Sequence, residues 1–488
     1  MPWLHRRCFP LSTWSERRRR THDPLQLKQV LAKVGQGIQS FSRVARKHRH
    51  LIGRTVSLKT LRSVTGYSKS PLLPCLIAML GVATGAQSLT PVLTPTLLTP
   101  AWVELGENAT TIARIVVNQP RDCPVIQIDG VRHAMRVRRP LPAGLRPVCE
   151  FKIPAATRTA AVKGQTLILP GPNPTRVIVL GDTGCRIKGK VIQDCNDPNK
   201  WPFAQIAAQA ASEKPELIIH VGDYLYRESP CPPASQVFCG GTPIGDNWEA
   251  WNADFFAPAA KLLAAAPWAV SRGNHEDCQR AWRGWFYYLD PRPWNGSCRE
   301  YSNPYLIKLA KFELVMLDTS AVREFETDDR QVSIYAKQLA SLRPENAWLV
   351  DHHPFWGFAT ILRGIRPLPL TAPLEAAWVR ASPTGYTLIL SGHVHLFEFV
   401  SLDGGYPPQL VAGDGGTEMA IPIEIPMNGT QIQGASVRES QSERQFGYTS
   451  LTKNGEGWRL ELKNRRKEVL VSCSTSGSSA ECQGGTKN

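Results

Sequence analysis

The chain has 488 residues, 42% of them hydrophobic, and a formal charge of +16. That length exceeds one ordinary domain, and that apolar share excludes a disordered chain. The charge does not carry a nucleic-acid reading: residues 1–70 hold sixteen Lys/Arg against Glu16 and Asp23, a net of +14, and the rest of the chain carries only +2.

In chain order, residues 1–71 are a basic leader, long for a signal n-region and consistent with a start codon set too far upstream. Residues 72–86 are apolar over the length of one signal h-region and too short for a comfortable membrane span. They follow Arg62 and Lys69 and close on Thr84-Gly85-Ala86, so export with cleavage after Ala86 is expected. No stable membrane partner is expected unless this segment stays uncleaved. Residues 88–170 carry short β-branched runs at 111–117, 125–128 and 166–169, punctuated by Pro and by Asp129-Gly130; this predicts a small N-terminal all-β domain.

From 172 to 472, strand and helix signals alternate, the mark of a layered α/β domain. Pro202 opens a helix whose Phe203, Ile206, Ala207 and Ala210 share one face. Further helices are predicted over 248–256, broken at Pro258, over 331–342 and over 374–380. Residues 312–317 read as a strand ending at Asp318, a turn cap. Residues 421–445 read as an irregular surface insert, 458–462 and 468–473 as paired closing strands, and 473–488 as a flexible tail. The ten cysteines beyond the leader fall into local neighbours: Cys123/Cys149, Cys185/Cys195, Cys231/Cys239, Cys278/Cys298 and Cys473/Cys482. Such an even set suits an exported disulfide protein.

Five short apolar runs (176–180, 216–221, 268–271, 347–350 and 386–390) each end in a motif with metal-capable side chains. The motifs are Gly181-Asp182-Thr183-Gly184, Gly222-Asp223-Tyr224-Leu225-Tyr226, Gly273-Asn274-His275-Glu276, Asp351-His352-His353-Pro354 and Gly392-His393-Val394-His395. Five such strand ends make one site at the carboxyl edge of a sheet. Asp182, Asp223, Asn274, His352, His393 and His395 offer carboxylate, amide and imidazole donors suited to Fe, Mn or Zn. Two metals about 3.5–4 Å apart acidify a water and clamp phosphoryl oxygens, which is what phosphate-ester hydrolysis requires. Asp223, with two oxygens, suits a bridge, and His275 beside Asn274 is free to act as general acid. His393 and His395 alternate, so both reach one site only if the chain bends after Gly392. Tyr224, Trp248, Trp251, Trp282, Trp285, Phe286, Tyr287 and Tyr288 read mainly as core; Arg227, Arg272, Arg280 and Arg283 are candidate phosphate contacts.

The ordered motifs over roughly 175–415 resemble the calcineurin-like metallophosphoesterase superfamily. Gly184 in place of a histidine, with Tyr226 closing Gly-Asp-x-x-Tyr, resembles the purple acid phosphatases within it. The resemblance implies a layered β-sandwich flanked by helices, with a small N-terminal all-β domain. It implies two metal ions, Fe(III) plus Fe, Zn or Mn(II). Asp182, Tyr226 and His395 would hold the ferric ion; Asn274, His352 and His393 the divalent one; Asp223 would be shared, and His275 would donate the proton. His352 is preferred to His353 because Pro354 lies two residues beyond it, which leaves His353 on the substrate side. The implied activity is hydrolysis of small phosphate monoesters by a metal-activated hydroxide, with a phosphodiesterase or nucleotidase as the alternative.

Overall fold

The computed structural model describes residues 96–324, 328–360, 367–477 and 479–484; the basic leader and the apolar segment 72–86 lie outside the described residues. Three of the apolar runs form the strands Arg176–Leu180, Leu217–His220 and Trp268–Val270, side by side and parallel. On one flank Gly447–Asn454 pairs antiparallel with Arg176–Leu180 and leads through Gly457–Asn464 and Val469–Ser476 to Ser479–Gly484. On the other flank Trp102–Leu105 runs parallel to Trp268–Val270 and continues through Thr111–Val116 and Val148–Ile153, completing an eleven-stranded sheet with Arg136–Val137.

The other two motif strands, Ala347–Val350 and Tyr386–Ser391, belong to a second sheet of eight strands. There they run parallel to each other, between Phe312–Met316 and Gln409–Ala412. The motifs therefore end strands of two sheets rather than one.

Period-two alternation decides which side chains join the layers. Val177, Val179, Leu217 and Ile219 pack against Met316, Trp348, Val350, Leu388 and Leu390 between the sheets. The intervening Ile178, Leu180 and Ile218 face outward onto the helix Phe203–Ser212 through Phe203, Ile206, Ala207 and Ala210. In the second sheet, Val315, Leu349 and Ile389 face the helices Asp329–Ser341 and Ala372–Ala381 through Val332, Tyr335, Leu374 and Trp378. Both faces of these strands are covered, which is why they read as unbroken apolar runs.

Several sequence expectations change. Residues assigned to a small N-terminal β domain divide between two sheets: some strands extend the large sheet, and Val125–Ile128, Val131–Ala134, Ala160–Val162 and Gln165–Leu167 form a four-stranded sheet of their own. Pro258 does not break its helix. A π turn at Asn252–Phe256 follows Trp248–Trp251, and Pro258 sits at the start of Ala257–Leu263, where a missing N–H is tolerated. The polar segment 421–445 contains the strand Ala435–Glu443, paired with Phe397–Leu402; backbone pairing rather than an apolar face defines it. Within the expected flexible tail, the described residues up to Gly484 pair as antiparallel strands in which Cys473 and Cys482 lie opposite each other and are disulfide-bonded. All five local cysteine pairs are disulfides. No helix among the described residues is long and apolar enough to cross a membrane.

Candidate metal centre

The strand ends converge. Asp182 follows Arg176–Leu180, Asp223 and Tyr226 follow Leu217–His220, and Asn274 and His275 follow Trp268–Val270, all from the large sheet. His352 and His353 follow Ala347–Val350, and His393 and His395 follow Tyr386–Ser391, from the smaller one. Asp182, Asp223 and His393 have φ values of 53°, 60° and 72°. Such left-handed backbone costs about 1–3 kcal/mol at a non-glycine residue and persists where the surroundings enforce it. At His393 it is the bend after Gly392 that lets both histidines of that motif reach one place.

Two donor groups form around Asp223. In the first, the Tyr226 hydroxyl oxygen lies 2.8 Å from Asp182 Oδ1, 2.7 Å from Asp223 Oδ2 and 3.1 Å from His395 Nε2. In the second, Asn274 Oδ1 lies 3.0 Å from His352 Nε2 and 3.2 Å from His393 Nδ1, and His352 Nε2 is 3.3 Å from Asp223 Oδ2.

The far side of each imidazole fixes its proton. His352 Nδ1 donates to the Val221 carbonyl at 2.8 Å and His395 Nδ1 to the Glu418 carbonyl at 2.8 Å, while His393 Nε2 lies 2.6 Å from Glu324 Oε1. Carbonyls and carboxylates only accept, so the far nitrogen of each ring carries a proton, and in a neutral ring the nitrogen toward the centre is the bare one. Burial, reinforced by the Arg186 charge, holds the His395 imidazole down at about 3, so it is neutral across the working range.

Cations fit this arrangement. The Asn274 oxygen faces two imidazole lone pairs and a carboxylate, all acceptors; turning its amide would supply hydrogen bonds in their place. The Tyr226 hydroxyl has one proton for three acceptors. Both groups are electrostatically unfavourable alone and are satisfied by a positive ion among the donors. Oxygen and imidazole donors, with a phenol on one side only, suit one harder and one borderline metal.

Gly184 and Tyr226 are linked sterically. A Cβ at position 184 would lie 2.6 Å from the Tyr224 carbonyl oxygen, 2.9 Å from Tyr226 Cδ2 and 3.0 Å from Asp254 Oδ2. The phenol ring occupies the space a side chain there would need. Gly273 is likewise required, since its Cβ would sit 2.0 Å from Asp223 Oδ1.

Four carboxylates that the sequence reading did not single out hold the site together. Glu276 accepts the backbone N–H groups of Tyr224 and Leu225 on Oε1 and of Asp223 and Gly273 on Oε2, tying the second motif to the third. Asp254, on the π turn, accepts from Tyr226 N at 2.8 Å and Cys185 N at 3.1 Å and is paired with Arg227. Glu228 Oε1 lies 2.6 Å from His275 Nδ1, and Lys188 and Arg280 flank it at 3.2 and 3.5 Å. Burial raises the Glu228 carboxyl, but His275, Lys188 and Arg280 outweigh it and leave it near 2. Glu324 is the fourth. Glu276 belongs to a motif, but for the other three only position relative to the folded site reveals the role.

His353 is buried beside the centre, its ring centroid 4.1 Å from that of His393, and its Nδ1 has no hydrogen-bond partner. The selected aromatics are core: Tyr224, Trp251, Phe286, Tyr287 and Tyr288 are all but inaccessible. Asp318 caps its turn, accepting from Ser320 N and Oγ. The four candidate phosphate arginines are engaged within the protein: Arg227 with Asp254, Arg272 with Ser320 Oγ, Arg280 with Asp277 and Arg283 with Asp246.

Residues 175–397 match the model of the family described as calcineurin-like phosphoesterase. The fold is shared with a purple acid phosphatase from yellow lupin (Lupinus luteus) seeds, at 14% identity and a TM-score of 0.50, covering 76% of this chain and 73% of that one. It is shared too with a structure of PhoD, at 12% identity and a TM-score of 0.52, covering 80% and 93%. A comparison with curated protein sequences finds no match.

Proposed function

We propose that this protein is an exported phosphomonoesterase of the purple acid type. Asp182, Tyr226 and His395 would hold a ferric ion, Asn274, His352 and His393 a divalent Fe, Zn or Mn, and Asp223 would serve both. The observation that carries the reading is the Tyr226 hydroxyl set among Asp182, Asp223 and His395, in space that Gly184 leaves open. A phenolate there is a hard anionic donor and favours Fe(III). The five disulfides support an oxidising compartment.

When bound, the two metals supply an acidified water and neutralise the phosphoryl oxygens. The chain's own residues do the rest. His275 is held by Glu228 on Nδ1, which leaves Nε2 turned toward Asp223, 3.9 Å away, to give a proton to the departing alkoxide. Burial lowers the His275 pKa, with Asp223 and Glu228 opposing it, so the protonated donor belongs to acidic pH. Glu276 and Asp254 keep the loops that carry Asp223 and Tyr226 from moving as charge develops.

The test is an absorption spectrum of the iron-loaded protein. A tyrosinate-to-Fe(III) band that disappears in Tyr226→Phe supports the reading. A colourless active enzyme with two zinc or manganese ions returns the protein to the wider family. Rates on p-nitrophenyl phosphate against bis-p-nitrophenyl phosphate separate a monoesterase from a diesterase.

A further inference from the structure

Arg186 differs from every arginine considered above. Among the described residues its guanidinium makes no hydrogen bond or ion pair, and its Nε is buried without a partner. The residue as a whole is half-buried, and a buried guanidinium N–H without an acceptor is uncommon in a folded protein and marks a place for a ligand acceptor.

Its anchorage is rigid and close to the centre. Arg186 stands four residues after Asp182 and directly after Cys185, which is bonded to Cys195. The Arg186 N–H donates to Gln193 Oε1 at 3.0 Å, and Gln193 Nε2 donates in turn to the Gly416 carbonyl at 2.9 Å. Ile187 N donates to the Tyr226 carbonyl at 3.0 Å, so this backbone lies against the second motif. Ile187 is fully buried, and Lys188, next to it in the short strand Ile187–Lys188, is exposed. Lys188 reaches Glu228, the partner of His275, at 3.2 Å. One cation thus stands over the proton-donor side, already paired. The other, Arg186, stands on the backbone that hydrogen-bonds the Tyr226 carbonyl through Ile187.

We propose that Arg186 is the binding residue of an anion subsite beside the metal centre, one that takes a second carboxylate or phosphoryl group carried by the substrate. The proposal rests on the phosphoesterase reading and narrows its substrate class to esters with a second negative charge. A planar guanidinium binds such groups through paired N–H donors, with a charge-assisted gain of about ten- to a hundredfold in affinity.

Matched substrates test it. Wild type should prefer 3-phosphoglycerate to glycerol 3-phosphate, or fructose 1,6-bisphosphate to fructose 6-phosphate, by about ten- to a hundredfold in KM. Preference in the first pair alone assigns the subsite to carboxylates, and in the second alone to phosphoryl groups. Arg186→Met should erase the preference and Arg186→Lys should keep part of it, with melting temperatures matched to wild type. Equal KM values within both pairs for wild type, or equal losses on both members in Arg186→Met, overturn the subsite. Calorimetric affinities for phosphonoacetate against ethylphosphonate, which cannot be hydrolysed, give a second readout. If no ester is turned over, the phosphoesterase reading falls, while an affinity difference lost in Arg186→Met upholds the subsite. If glycerol 3-phosphate is hydrolysed without any preference, the subsite falls and the reading stands.

Discussion

Of the three candidate ligand histidines, only His393 is held from behind by a side chain. His352 and His395 rest on the backbone carbonyls of Val221 and Glu418, which substitution cannot remove, whereas His393 Nε2 meets Glu324 Oε1 at 2.6 Å. Glu324 is therefore a handle on one half of the centre. Glu324→Gln keeps an oxygen acceptor but loses the charge. Glu324→Ala frees the ring to carry its proton on Nδ1, the nitrogen that faces Asn274. Removing such an outer partner typically weakens metal binding about ten- to a hundredfold, or about 1.4–2.7 kcal/mol. We expect the divalent-metal dissociation constant to rise about tenfold in the glutamine variant and about a hundredfold in the alanine one. Iron and the tyrosinate band should persist in both, because Tyr226, Asp182 and His395 do not touch Glu324. The assay is elemental analysis of both metals after dialysis against graded chelator, with the spectrum recorded in parallel. An unchanged divalent affinity in Glu324→Ala would refute the reasoning, as would parallel loss of both metals, which would indicate damage to the fold rather than to one ligand.

Two further outcomes follow from geometry and burial. Gly184→Ala places a methyl 2.9 Å from the Tyr226 ring and 2.6 Å from the Tyr224 carbonyl, so about 1–3 kcal/mol of stability should be lost and the tyrosinate band weakened; urea unfolding and the visible spectrum would both have to be unchanged to contradict this. Burial lifts the Glu398 carboxyl from 4.5 to about 8, opposed only by the Phe358 N–H. The folded state thus favours the neutral acid, and stability should fall as pH rises from 4.5 through 8, by on the order of 5 kcal/mol in total. Glu398→Gln should flatten that dependence in unfolding measured from pH 5 to 9, and a wild-type-to-variant difference that is the same at both ends would count against it.

The pattern of motifs was legible because each lies where an apolar run stops, and a strand buried on both faces leaves that signature. Composition also carried the pairing of the cysteines, since every partner is local in sequence. What could not be read was whatever depends on assembly. Two sheets rather than one bring the strand ends together, and nothing in a run such as 347–350 says which sheet it will join. Glu228, Asp254 and Glu324 act from loops and a π turn whose sequences resemble ordinary polar surface. Nothing in the sequence sets Arg186 apart from the four other arginines near the motifs, because what distinguishes it is a buried Nε without a partner, a property of the folded neighbourhood. Pro258 misled for a related reason: a π turn before it moved the helix start to where proline is harmless.

The division of the donors between the sheets also orders events in time. Asp182, Asp223, Tyr226 and Asn274, all oxygen donors, come from the large sheet and the earlier part of the chain; His352, His393 and His395, all nitrogen donors, come from the smaller sheet and the later part. A chain growing from its amino end holds all four oxygen donors before any of the three imidazole donors, and neither donor group is complete until the two sheets close on each other. In the proposed metalloenzyme, metal capture would then be a closing step of folding, and the filled centre would act as a clasp between the layers.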